Sequence, residues 1–127
     1  MRSIRREDVP VVIEDNGVEV RVRDEDGLSV GFVRLPAGAD LRPATKGLPD
    51  DLCPCPHWGY VIKGQLRVIY ADREEVIRAG DLYYLPPGHT AVVEEDYEAV
   101  EFSPPAGHEQ VLDVVKRNAA LAQPAPA

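Results

Sequence analysis

Short apolar segments separated by turn-forming residues constrain the fold of this chain most strongly. The 127 residues include 12 prolines and 10 glycines, which fall mainly between the apolar segments rather than inside them. Strands that recur about every 8–12 residues with turn signals between them are typical of a β-sandwich or β-barrel. The sequence therefore predicts an all-β fold.

The second predicted strand shows this pattern most clearly. Val18, Val20 and Val22 alternate with charged residues, which indicates a strand with one buried face. Asn16-Gly17 precedes it and favours a type I′ hairpin turn. The predicted strands are Val9–Glu14, Val18–Arg23, Leu28–Leu35, Trp58–Ile62, Leu66–Ala71, Glu75–Arg78, Leu82–Leu85, Ala91–Glu94 and Tyr97–Phe102.

Two segments depart from the strand pattern. Residues 40–56 are rich in proline and show no periodicity, so we expect a long irregular loop, a type of segment that is usually functional or disordered. Residues 109–123 carry an apolar stripe at helical spacing and predict a C-terminal helix. Residues 124–127 are expected to form a disordered tail.

Size and charge limit the classes of function. One domain over residues 1–127 is expected for a chain of this length. The 22 acidic and 14 basic residues give a net charge of −8, which argues against nucleic acids and anionic membranes as partners. The scattered apolar residues and the charged N-terminus predict neither a transmembrane helix nor a secretory signal. We therefore expect a cytoplasmic protein.

A glycine-proline-glycine spacing follows the sixth predicted strand: Gly80 is followed after five residues by Pro86, and Gly88 comes two residues later. This spacing resembles the second of two sequence motifs of the cupin superfamily. In the first motif, a glycine is followed by His-x-His, a glutamate and a second glycine. Counted forward from Gly47, the His-x-His position falls on Cys53-Pro54-Cys55, and counted back from Gly64, the glutamate position falls on His57. The histidine of the second motif would fall at Ala91, two residues after His89, and its asparagine at Glu95.

The resemblance implies a small single-domain cupin. Its fold would be a double-stranded β-helix, or jelly-roll barrel, over roughly residues 9–103, with the short helix packed outside. The family also implies a metal ion in the barrel mouth, a small-molecule ligand or substrate, and commonly a homodimer.

The residues themselves indicate a metal site at the same place. Cys53, Cys55 and His57 alternate, so in extended conformation their side chains would share one face. His89 follows a stiff Pro-Pro-Gly turn. Two thiolates and two imidazoles suit one divalent transition metal ion, with zinc preferred and iron next. The predicted ligands are therefore Cys53, Cys55, His57 and His89.

Simpler interpretations stay open for these residues. The cysteines could be small loop residues, His57 a hydrogen-bonded strand histidine, and His89 an exposed turn residue. His108 is interpreted as a surface residue. The aromatic residues are expected mainly in the core or in dimer contacts rather than in a substrate pocket; they are Trp58, Tyr60, Tyr83 and Tyr84.

Two functions fit this set of candidates. If three residues hold the metal, a coordination position stays open, and the protein would be a metal-dependent enzyme of dioxygenase, isomerase or lyase type. If all four residues bind, the site is closed, and the protein would be a non-catalytic metal- or ligand-binding module. The sequence names no substrate and leaves both functions possible.

Overall fold

The structure is a computed structural model that describes the backbone of residues 3–122 and the side chains of residues 3–119. Its strands are β1 (Val11–Asp15), β2 (Val18–Glu25), β3 (Leu28–Leu35), β4 (His57–Tyr70), β5 (Glu74–Arg78), β6 (Leu82–Leu85) and β7 (His89–Ser103). The helices are α1 (Arg42–Thr45) and α2 (Pro105–Ala122), with 3₁₀ turns at Arg6–Asp8 and Pro49–Asp51. The predicted tail at residues 124–127 lies outside the described residues.

All strand pairs are antiparallel. The order β1-β2-β3-β7-β4-β5 forms one path, and β6 pairs with β4 beside it. The first half of β4 pairs with β6 and with the end of β7, whereas its second half pairs with β5 and with the start of β7. Buried side chains from both halves join one apolar core, so the sheet folds over on itself. The predicted all-β barrel with a C-terminal helix is confirmed.

Two predicted turns are instead bends within long strands. Lys63-Gly64 was expected to separate two strands, and Glu95-Asp96 two others, but β4 and β7 run through both positions. The register between them shifts repeatedly around Lys63 and Gln65. Gly64 has a φ of +86°, and a β-carbon there would lie 2.0 Å from the carbonyl oxygen of Asp96. The glycine thus lets the two strands bend in close contact without ending.

The segment expected as an irregular loop is partly ordered. It contains α1 and the 3₁₀ turn at Pro49–Asp51, and it is attached to the start of β7, since the Leu41 amide donates to the Ala91 carbonyl at 2.9 Å. The end of this segment packs against α2 in a second apolar cluster formed by Leu48, Cys53, Cys55 and Val111.

Helix α2 begins earlier than its apolar stripe indicates. Residues Ala106 and Gly107 are non-helical within its first turn, which bends the chain before the regular helix. Of the described residues, none lies in a helix long and apolar enough to cross a membrane.

Candidate metal centre

Backbone hydrogen bonds bring Cys53 next to His89. The Cys53 amide donates to the His89 carbonyl at 2.7 Å, and the Gly88 amide donates to the Cys53 carbonyl at 2.8 Å. These bonds form an antiparallel bridge outside the main strands. Two residues far apart in sequence therefore lie side by side at the start of β7.

His57 completes a buried group of three possible ligands. It begins β4 and faces the interior, with its Nε2 atom 3.7 Å from the Cys53 Sγ atom. The His57 and His89 ring centroids are 5.1 Å apart. One ligand atom from each of the three residues lies within 4.8 Å of the others. A tetrahedral zinc ion with bonds of about 2.0–2.3 Å holds its ligand atoms about 3.3–3.8 Å apart, so small side-chain shifts would close the site.

Hydrogen bonds orient both imidazoles for binding. The His89 Nδ1 atom lies 2.8 Å from the Pro86 carbonyl oxygen. A carbonyl only accepts, so Nδ1 carries the proton and Nε2 keeps its lone pair for a metal. The His57 Nδ1 atom lies 2.6 Å from the Ser103 hydroxyl oxygen, which holds that ring with Nε2 toward Cys53. Metal-binding histidines characteristically have such a second hydrogen bond.

Burial favours the neutral form of each ligand. It lowers the pKa of His57 to about 4 and also lowers the pKa of His89, so both imidazoles are neutral at pH 7. Burial raises the pKa of Cys53 to about 12. A metal ion at this site would have to displace the thiol proton, so its affinity would rise with pH.

Cys55 does not join the group of three. Its side chain is 3% exposed and lies in the apolar cluster with Leu48 and Val111. Its Sγ atom is 3.6 Å from the Pro56 carbonyl oxygen. The chain bends at Cys55, so the alternation expected for an extended segment is lost. The structure thus brings together Cys53, His57 and His89 of the four predicted ligands.

His108 is buried rather than on the surface, and it is 9% exposed. Its Nδ1 atom lies 2.8 Å from the Ser29 hydroxyl oxygen, and its ring centroid is 5.6 Å from that of His57. The first turns of α2 carry it there. Only the packing of that helix against β3 places His108 beside the site, and no local sequence pattern indicates it.

Glu101 is a second functional candidate that sequence reasoning missed. Its Oε2 atom lies 3.9 Å from the His57 Nδ1 atom, and the Tyr83 hydroxyl donates to its Oε1 atom at 2.9 Å. Burial raises the pKa of this carboxyl above its usual range. Gly59 lies between the two partners, because it pairs with Tyr83 on one side and with Glu101 on the other. A β-carbon at Gly59 would lie 2.4 Å from the Tyr83 hydroxyl, so only glycine leaves room for this bond.

The centre opens into a cavity of about 400 Å³ inside the barrel. Strands β1 to β3, strand β7 and helix α2 contribute to its walls. Cys53, His57, His89, Glu101 and His108 all reach this cavity. The buried Cys/His triad can therefore hold a metal ion that a small molecule could contact.

Comparisons with known proteins agree with this architecture. A family model described as the AraC-like ligand binding domain matches residues 56–109. No curated protein sequence is significantly similar to this chain.

Solved structures resemble the chain over most of its length. An RmlC-like cupin from Shewanella frigidimarina is 19% identical, with a TM-score of 0.59, over 82% of this chain and 90% of that chain. A structural-genomics protein of unknown function from Rhizobium leguminosarum is 19% identical, with a TM-score of 0.62, over 83% of this chain and 97% of that chain. Oxalate decarboxylase from Bacillus subtilis is 21% identical, with a TM-score of 0.58, over 80% of this chain and 28% of that chain. The chain is therefore a small protein of the cupin fold.

Proposed function

We propose that the protein is a metal-dependent enzyme that acts on a small molecule in the barrel cavity. One divalent transition metal ion, zinc in preference to iron, would be held by Cys53, His57 and His89. The observation that carries this proposal is the number of ligands, because three protein ligands that face a cavity leave a coordination position for substrate or water.

The residues around the centre have separate tasks in this proposal. A bound metal ion would supply Lewis-acid polarisation of a substrate oxygen. The Pro86 carbonyl and Ser103 hydroxyl orient the imidazoles. Glu101, positioned by Tyr83, is close enough to the centre to hold or release a proton at its Oε2 atom. The burial of Cys53, His57 and His89 would strengthen these electrostatic interactions by lowering the local dielectric constant.

Azide added to the cobalt-substituted protein tests whether the site is open. We expect the visible spectrum to change, because azide should occupy the free coordination position. Cys55→Ser should give the same response, since the Cys55 thiol lies outside the group of three. A spectrum that ignores azide in the unmodified protein but responds in Cys55→Ser would show a closed four-ligand site and contradict the enzyme proposal.

The alternative is a non-catalytic ligand-binding module with a closed Cys/His site. It is favoured by the match to a family described by ligand binding rather than by catalysis. Cys55 is near enough in sequence to join the site if the loop bend straightens. In this case the metal would be structural or sensory, and the cavity would bind a ligand without converting it.

We also propose that the protein is a homodimer through the outer face of β3, β4, β6 and β7. The outward side chains on this face are largely apolar, and they belong to residues that are cross-strand partners. They are Val30, Trp58, Tyr60, Leu82, Tyr84, Val100 and Phe102. Leu82 is 83% exposed and Trp58 is 47% exposed. An apolar patch of this kind on a folded surface marks an interaction site.

The surroundings of this outer face favour a second copy as the partner. Its edge carries ion pairs within the chain, Arg21–Glu19 at 2.7 Å and Arg34–Glu98 at 2.7 Å. Since these charges are already compensated, two copies can face each other without strong repulsion despite the net charge of −8. An apolar centre with a polar rim is the usual arrangement of a protein interface.

The substitution Trp58→Glu should shift the protein from dimer to monomer in sedimentation-velocity experiments. The new carboxylate would be buried within the apolar face of each copy, which is unfavourable for association. Val76→Glu is the matched control, because Val76 is exposed on β5, outside this face. A monomeric unmodified protein, or a Trp58→Glu variant that stays dimeric, would contradict the dimer proposal.

We also propose that residues 1–127 form a single domain and that the protein is cytoplasmic. The two free buried cysteines support a reducing compartment, where thiols persist.

A further inference from the structure

The walls of the cavity carry many aliphatic side chains and a smaller number of polar ones. A large part of the aliphatic lining comes from the inner faces of β1, β2 and β3 and from one side of α2, including Ile13, Val20, Val33, Leu35, Val111 and Val115. An apolar pocket with few polar groups binds the body of a ligand by burying its surface and orients it by those polar groups.

Many of the polar groups on the lining are close to one another. The His108 ring is 5.6 Å from the His57 ring, Glu101 approaches His57 at 3.9 Å, and Thr90 is adjacent to His89 in sequence. The Thr90 hydroxyl lies 3.1 Å from that of Thr45. His108 and Glu101 thus form a polar cluster around the metal centre, whereas the aliphatic side chains of β1, β2 and β3 line the cavity with no predicted metal ligand among them.

The rest of the lining offers no attraction to a second negative charge on the ligand. Asp15 and Asp40 both reach the cavity, and both are acidic. Asp40 pairs with the Arg42 guanidinium at 2.7 Å, so that cation is already compensated. A second negative charge on the ligand would be desolvated against the aliphatic walls. This arrangement disfavours dicarboxylates and other doubly charged molecules.

From this arrangement we infer that the ligand is an amphipathic monocarboxylate, with one anionic oxygen head group at the metal centre and an apolar body along the aliphatic walls. The inference rests on the proposed metal site for the head group. A divalent ion with one thiolate ligand keeps one net positive charge, which a single anionic oxygen balances. A cavity of 400 Å³ is near the lower end of the roughly 300–1,000 Å³ typical of small-molecule sites.

Calorimetric titration of the zinc-loaded protein with butanoate, hexanoate and octanoate tests the inference. Affinity should rise about fourfold for each added methylene group, the gain expected when a methylene is buried. Octanedioate, which has the same chain length and a second carboxylate, should bind at least about tenfold more weakly than octanoate. Equal affinity along the series, or octanedioate binding as tightly as octanoate, would overturn the inference.

A matched pair of variants tests whether the gain in affinity per methylene group comes from burial in the cavity. Val33→Thr adds a hydroxyl to the aliphatic wall with little change in shape, and it should weaken octanoate binding by about fivefold or more. Val76→Thr makes the same change on exposed β5 and should have no effect. Equal effects of the two variants would count against the inference.

The same titration separates failure of the inference from failure of the proposed function. Zinc content is measured first, and a protein that takes up no zinc would contradict the proposed metal site. The gain per methylene is then measured on the metal-free protein, because the aliphatic walls contain no metal ligand. A gain there would support the apolar subsite alone, and its absence would overturn the inference.

Discussion

Replacing any one of Cys53, His57 or His89 should lower zinc affinity by at least about 100-fold, the upper end of the loss seen when only an outer-shell partner is removed. The substitutions that test this expectation are Cys53→Ser, His57→Ala and His89→Ala. Each removes one atom of the group in which the ligand atoms lie within 4.8 Å of one another. Two remaining ligands cannot enclose a tetrahedral ion. Zinc affinity is measured by competition with a coloured chelator.

Cys55→Ser is the control that the chain itself offers. It makes the same sulfur-to-oxygen change two residues from Cys53, but the Cys55 thiol packs among apolar side chains. We expect its zinc affinity to stay close to that of the unmodified protein. An equal loss in Cys53→Ser and Cys55→Ser would mean that both thiolates bind, and the four-ligand site would replace the three-ligand one.

Gly64→Ala should destabilise the protein by about 2–5 kcal/mol, the sum of roughly 1–2 kcal/mol for left-handed backbone and 1–3 kcal/mol for overpacking. The φ of Gly64 is +86°, and a β-carbon would lie 2.0 Å from the Asp96 carbonyl oxygen. Backbone atoms of β7 cannot yield as the end of a side chain can. The free energy of unfolding is measured by urea denaturation followed by circular dichroism, at one protein concentration.

Gly80→Ala separates backbone strain from the close contact. Gly80 has a similar φ of +94°, but among the described residues, apart from its two chain neighbours, none lies within 4 Å of a β-carbon placed there. Gly80→Ala should therefore lower the free energy of unfolding by only about 1–2 kcal/mol. If both variants lose the same free energy, the contact between β4 and β7 at Gly64 is not as close as described.

The strand pattern was predictable because alternation and turn chemistry are local properties. The hairpin at Asn16-Gly17 forms between β1 and β2, and both residues have positive φ, as an Asn-Gly type I′ turn requires. The prediction of separate strands around Gly64 was wrong for a non-local reason. A glycine between two strand-forming segments indicates a turn, but here a facing strand pairs on both sides of the glycine and bends with it.

The sequence alone determined the all-β class, the C-terminal helix and the region of the candidate metal site, because each depends on residue types at short spacing. Tertiary structure decided which side chains meet. A bend at Cys55 turns its thiol toward an apolar cluster, whereas a backbone bridge sets Cys53 beside His89. His108 and Glu101 reach the same centre from α2 and β7. Contacts between segments far apart in the chain arise from packing and long-range pairing, which leave no periodic signal in the sequence.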